Sequence, residues 1–249
     1  VAFLLTTGCP CGQSCLFCLP NRSLQTADGY FRRNGKRVYR VHRLQPFRKK
    51  GMDAQNTDVT RDIVVVAGSQ GATEALRVML AQLPADFPAA ILIVIHTSPS
   101  SPGYLASVLN RYSVLPVEYA KHGERLLPGR VYLASADLHL EVAAPGIISL
   151  NDGPKVNFAR PAADRLFMSA AEVFGNRVIS LVLSGGDSDG AQGAVAISKA
   201  GGLSYAQHPE QASVPSMPIE TMQKNPASVF LRAEEMGAAL INAVRGCRR

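Results

Sequence analysis

Three short runs constrain this chain more than any other feature: DIVVVA (62–67), AAILIVI (89–95) and RVISLVL (177–183). Each is apolar at consecutive positions and rich in β-branched residues. A strand with one wet face alternates apolar and polar side chains, whereas a strand covered on both faces reads as a continuous apolar run. Helical patterns follow such runs. In ATEALRVMLAQL the apolar residues Leu76, Met79, Leu80 and Leu83 share one face, and Pro84 closes the segment. This alternation of strand and helix implies right-handed crossovers. The predicted fold class is therefore α/β: a doubly wound, mostly parallel sheet with helices on both faces.

Other segments extend the pattern. SPGYLASVLNRY (101–112) predicts a helix with Ser101 as N-cap and Pro102 in the first turn. VEYA (117–120) predicts a third strand. GRVYLA, LHLEVA and IISLND, between 129 and 152, are split by turn residues and predict an antiparallel hairpin or meander appended to the sheet. Helices are expected over 161–175, with Gly175 past the end, over 190–200, and over 219–225 and 233–245, with a strand at 203–207.

Composition narrows the function classes. The net charge of +7 is unevenly spread: residues 1–51 hold ten of the 26 Lys and Arg but only one of the 19 acidic residues, Asp28. The remainder is close to neutral, so the charge does not argue for nucleic-acid binding. Trp is absent and aromatics are 6%, which gives bases little to stack on. The longest apolar run, 89–95, is far short of the roughly 20 residues a membrane helix needs, so no membrane insertion is expected. No cysteine occurs between 52 and 246, which excludes a disulfide-built fold there and suits a cytoplasmic location.

Residues 1–51 read differently from the rest. Cys9, Cys11, Cys15 and Cys18 lie within ten residues, but a structural zinc site draws its ligand pairs from separated turns, so no metal is assigned. The apolar stretch before Cys9 is too short for a secretory signal. Charge, cysteine use and periodicity all change near Met52. The expected organisation is a basic, Cys-containing extension over 1–51, either disordered or translated upstream of the natural start, a linker over 52–61, and a catalytic domain over 62–246.

In open α/β sheets, ligands bind beyond the carboxyl ends of the strands. Ser69 follows strand 62–67, His96 follows strand 89–95, and Asp187 and Asp189 follow strand 177–183. Parallel strands bring these to one edge, where a serine, an imidazole and a carboxylate form the parts of a nucleophilic triad. Ala67, Gly68 and Gly71 around Ser69 suit a tight strand-to-helix turn. The next helix aims its free N–H groups there, which suits a developing oxyanion. Each residue also has a plain structural reading: Ser69 or Asp189 as helix N-caps, Asp187 as a solvated carboxylate, and His96 as a hydrogen-bonded loop-mouth histidine, the reading that also fits His122 and His139. Neither G-x-G-x-x-G nor G-K-[ST] is present, so a nucleotide cofactor is not indicated.

The segments VVVAGSQGATEALRVMLAQLPADFPAAILIVIH, HGERLLPGRVYLASADLHL, NDGPKVNFARPAADRLFMSAAEVFG, LVLSGGDSDGAQGAVAISKAGG and SVPSMPIETM together resemble the catalytic domain of CheB-type chemotaxis receptor protein-glutamate methylesterases, in order and spacing. The resemblance implies a Ser69–His96–Asp189 triad and selects Asp189 over Asp187. It implies hydrolysis of glutamate methyl esters on the cytoplasmic domains of methyl-accepting chemoreceptors, with release of methanol and related glutamine deamidation, and no cofactor. A separate response regulator or signalling protein is a further expected partner. Gln70, Gly71, Gly186 and Asp187 fall in the oxyanion and pocket region. Gln70 and Ala72 depart from the family's usual threonine and glycine, and Gly186-Asp187 stands where it commonly has methionine-glycine. A carboxylate there disfavours negative charge nearby, which leaves two alternatives open: a catalytically weakened regulatory or binding module, or a serine esterase with another substrate. The residues before Asp62 show no βα pattern, and we expect a catalytic domain without an attached receiver and not gated by phosphorylation in cis.

Overall fold

The computed structural model describes residues 60–246 in full and the backbone of two strands near the N-terminus, β1 (Tyr30–Arg33) and β2 (Lys36–Arg40). These two pair antiparallel, in a unit separate from residues 58–248. The rest of the expectation for residues 1–61, including the four clustered cysteines, lies outside the described residues except for Thr60 and Arg61.

The larger unit is built on a seven-stranded sheet. In chain order its strands are β3 (Ile63–Gly68), β4 (Ala90–Ile95), β5 (Val117–Tyr119), β6 (Val131–Leu133), β9 (Val178–Val182), β10 (Leu203–Gln207) and β11 (Val229–Leu231). The spatial order is β11-β10-β9-β3-β4-β6-β5, and every pairing is parallel. A separate antiparallel pair, β7 (His139–Ala143) and β8 (Ile147–Asn151), lies outside the sheet. The α/β fold read from the sequence is the one observed.

The continuous apolar runs have the expected cause. Every residue of β3, β4 and β9 is buried. Val64 and Val66 face one core layer with Leu76, Met79 and Leu80 of α1 (Ala72–Ala81) and Met236, Leu240 and Val244 of α6 (Ala233–Arg245). Ile63, Val65 and Ala67 face the other, with Leu166, Phe167 and Ala170 of α3 (Ala163–Phe174), Ile197 of α4 (Ala191–Lys199) and Met217 of α5 (Ser216–Lys224). Side chains still alternate with period two, but both sides are covered. At roughly 1.5–3 kcal/mol for a fully buried large aliphatic or Phe side chain, these two layers are the main stabilising term.

Two local expectations are corrected. GRVYLA is not part of the meander: its residues 131–133 form an interior parallel strand between β4 and β5, with all three side chains buried. The helix expected from Pro102 starts later, as the short α2 (Leu105–Leu109), because Gly103 takes the left-handed conformation at φ +73° and breaks the turn before it. The strand β11 was not anticipated; three residues at the sheet edge carry no periodic signal.

Chain direction across the sheet reverses between β3 and β9. The first leaves toward β4, the second toward β10. Such a switch point opens a crevice at the carboxyl ends of the strands.

Candidate functional site

Ser69, His96 and the 184–190 loop meet at that crevice, and backbone bonds hold them in register. His96 N–H donates to Gly68 O (3.0 Å), Leu183 N–H to Ala67 O (2.8 Å) and Ser69 N–H to Ser184 O (2.8 Å). The Ser69 turn is shaped by what surrounds it. Gly71, the N-cap residue of α1, has φ +84°, and a Cβ there would stand 2.6 Å from Ser213 Cβ. Both the backbone and the neighbour require glycine. On the other side a Cβ on Gly185 would stand 3.0 Å from Ser69 Cβ and 1.9 Å from Met217 Sδ. Ser184 Oγ ties the pieces together, donating to Gln70 O (2.7 Å) and accepting from Val214 N–H (2.9 Å). Ser69 does not cap α1, because the N-cap position belongs to Gly71 and no side chain caps it. Among the described residues, the amides of Gln70 and Gly71, at the start of α1, donate to no protein acceptor.

His96 is held by two carboxylates. Its Nε2 lies 2.8 Å from Asp189 Oδ2 and its Nδ1 lies 3.1 Å from Asp187 Oδ2. Burial pushes the imidazole toward its neutral form, but hydrogen bonds and charge from Asp187 and Asp189 outweigh this and raise its pKa to about 9. Among the described residues, no hydrogen bond joins Ser69 Oγ to His96, whose two ring nitrogens are both taken.

Asp189 is wholly buried. Besides His96 it accepts from the backbone amides of Ala163 (2.6 Å) and Asp164 (3.0 Å), from Asn157 Nδ2 (3.2 Å) and from Gly190 N–H (3.1 Å). Ala163 and Asp164 are the first two residues of α3, so the positive end of that helix faces the carboxylate. A buried charge needs such a set of donors. Asp189 is not the N-cap of α4, whose cap position is Gly190. A second buried carboxyl, Asp164, accepts from Gly193 N–H (2.8 Å) and Asn157 Nδ2 (2.9 Å). Burial raises its pKa, and the charge of Asp189 adds to the effect.

Asp187 is neither free in solvent nor buried. Its Oδ1 accepts from Asp189 N–H (2.9 Å), its Oδ2 faces His96, and its side chain is 39% exposed. Burial raises its pKa, but the bonds from His96 and the Asp189 amide dominate and hold it below the ordinary value. Gly186 is exposed beside it. Of the alternative histidines, His139 is buried between Pro154 O (3.0 Å) and Ala162 N–H (3.2 Å), and His122 accepts from Leu150 N–H (3.1 Å). His139, the first residue of β7, and His122 are each bonded to backbone away from Ser69 and His96. Among the described residues, no group of three or more His, Cys, Asp or Glu is arranged to hold a metal.

Sequence reasoning did not single out Asn157, Asp164 or Ser184. Asn157 and Phe158 sit at positive φ, 51° and 61°, in a turn bridged by Val156 and Ala159, and this turn brings the Asn157 amide to both buried carboxyls. The available signal was an asparagine, which takes the left-handed conformation more readily than other residues with a Cβ.

Comparison with known proteins agrees with this architecture. A family profile described as CheB methylesterase matches residues 64–240. The chain is 34% identical over 205 residues, 80% of its length, to a protein-glutamate methylesterase/protein-glutamine glutaminase of Methanosarcina mazei. It is 32% identical over 213 residues, 84% of its length, to a protein of the same kind from Pyrococcus horikoshii. It spans 56% and 58% of those two curated relatives. The crystal structure of the Thermotoga maritima CheB methylesterase catalytic domain superposes with a TM-score of 0.70 at 34% identity, over 74% of this chain and 99% of that one. The chain belongs to the CheB methylesterase family.

Proposed function

We propose that residues 62–246 are the catalytic domain of a serine esterase that removes methyl groups from glutamate methyl esters on chemoreceptor cytoplasmic domains, releasing methanol. Glutamine deamidation, an activity named for the relatives, follows the same chemistry with ammonia as leaving group. The observation that carries this reading is His96 bonded at 2.8 Å to a buried carboxylate, at the strand edge where Ser69 begins a glycine-shaped turn.

Ser69 Oγ attacks the ester carbonyl and passes its proton to His96. With Nε2 committed to Asp189, the nitrogen that takes the proton is Nδ1. Asp189 orients the ring and stabilises the imidazolium. The free amides of Gln70 and Gly71, at the N-terminus of α1, face the oxygen that becomes negative. His96 then protonates the departing methoxide, giving methanol and an acyl-enzyme. Water, deprotonated by His96, cleaves the acyl-enzyme to free carboxylate and regenerates Ser69. No step calls for a metal or organic cofactor. The proposed substrate places the protein in the cytoplasm, with a separate response regulator or signalling protein as a further partner; among the described residues no helix is long and apolar enough to cross a membrane.

The Asp187–His96 contact favours a second reading, a weakened regulatory or binding module of the same fold. A fluorophosphonate probe separates the two, because labelling at Ser69 requires an activated serine. Methanol release from methylated receptor, lost in Ser69→Ala, tests the substrate. Labelling without methanol release points to another ester, and neither signal leaves the binding module.

A further inference from the structure

We propose that Asp187 is a positioning residue that latches His96: its carboxylate occupies Nδ1, the ring nitrogen that must accept the Ser69 proton, and holds the site at rest until the side chain swings away. This rests on the esterase reading above.

The two ring contacts are unequal in kind. Asp189 is buried, and its position is fixed by five donors including His96 and the α3 amides. Asp187 stands on a half-exposed loop between Gly186 and Ser188 and is held by one hydrogen bond, from Asp189 N–H, and by an ion-pair contact with His96 Nδ1 at 3.1 Å. With 39% of its side chain exposed, a change of rotamer carries the carboxylate into water, where hydration replaces what is lost. Asp189 has no such exit.

In the latched state both nitrogens must carry protons to face two carboxylates, so the ring is an imidazolium and has no lone pair for the Ser69 proton. The imidazole accordingly keeps its charge up to about pH 9. The ionisable groups around it are Asp187 and Asp189 in direct contact, with Asp164 behind Asp189 on α3. All are acidic, and Asp187 and Asp189 favour the charged ring. Asp187 is the one whose removal leaves the orienting carboxylate in place.

The test uses the full chain and its Asp187→Ala and Asp187→Asn variants, measuring the rate of fluorophosphonate labelling of Ser69 from pH 6 to pH 10, with the titration of the His96 ring followed by NMR in parallel. Labelling of the unaltered chain should climb steadily until about pH 9. Asp187→Ala should label about 10- to 100-fold faster at pH 7, with its inflection and the His96 titration both moved to lower pH, and converge on the unaltered chain at high pH. Asp187→Asn, which keeps the shape and loses the charge, should move in the same direction by less. Coincident pH profiles for all three proteins would overturn the latch, as would slower labelling of the variants with an unmoved His96 titration. If the titration moves but Ser69 is labelled in no variant at any pH, the latch is again overturned and the fault lies in the esterase reading itself.

Discussion

The two halves of the site are held in different ways. On the inner side, Asp189 is enclosed by α3, the Asn157 turn and the start of α4, and each lone pair meets a donor. On the outer side, Gln70, Gly71, Gly186 and Asp187 line an open edge, where one carboxylate reaches His96 through a single ion-pair contact. The inner half is over-determined: shifting Asp189 would strand several buried amides at once, at about 1–3 kcal/mol for each unpaired group. The outer half is adjustable at small cost. On the esterase reading, the carboxylate proposed to orient His96 is fixed by many donors, and the one proposed to latch it has few.

Substitutions can break or sharpen this contrast. The largest effect belongs to Ser69→Ala, which on the proposed mechanism removes the attacking oxygen and should lower methanol release roughly 10⁶-fold without unfolding the protein, measured by turnover alongside circular dichroism. Next is Asp189→Asn on the inner side. The amide cannot accept from the same donors, and turnover should fall about 10³- to 10⁴-fold, with a lowered melting temperature that a merely orienting surface carboxylate would not give. Gly185→Ala strikes the boundary between the halves. Its new methyl group runs into Met217 and crowds Ser69, so about 1–3 kcal/mol of stability should be lost, read from urea denaturation. The smallest effect belongs to the opposite rim of the sheet. Arg177 holds Asp62 by two bonds, Nε–Oδ1 2.9 Å and Nη2–Oδ2 2.6 Å, at the surface. Arg177→Ala should cost about 0.2–1 kcal/mol and leave turnover unchanged; a fall in turnover would show that rigidity at the inner half depends on more than its own donors.

Much of this was legible in the chain before its structure. Continuous runs such as AILIVI cannot belong to a one-faced sheet, so they announced buried parallel strands, and strand ends then placed Ser69, His96 and the aspartates on one edge. Pairing direction was not legible for 131–133. A three-residue strand bounded by turns looks the same in a hairpin and in a parallel interior position, and the partner that decides is 40 residues away in β4. The late start of α2 turned on the conformation of one glycine, which its neighbours alone do not dictate.

At the site the division is sharper. Local sequence determined which residues stand at the strand ends, because hydrophobic periodicity and turn chemistry act over a few residues. It could not say which aspartate is enclosed and which is exposed, nor that Asn157 bridges two buried carboxyls, nor that Asp187 reaches the far nitrogen of His96. Those facts depend on burial and on hydrogen-bond partners drawn from α3, 25 and 26 residues away, and from His96 just past β4, 93 residues away. Burial and charge pairing are properties of the packed molecule, and only the tertiary structure decided them.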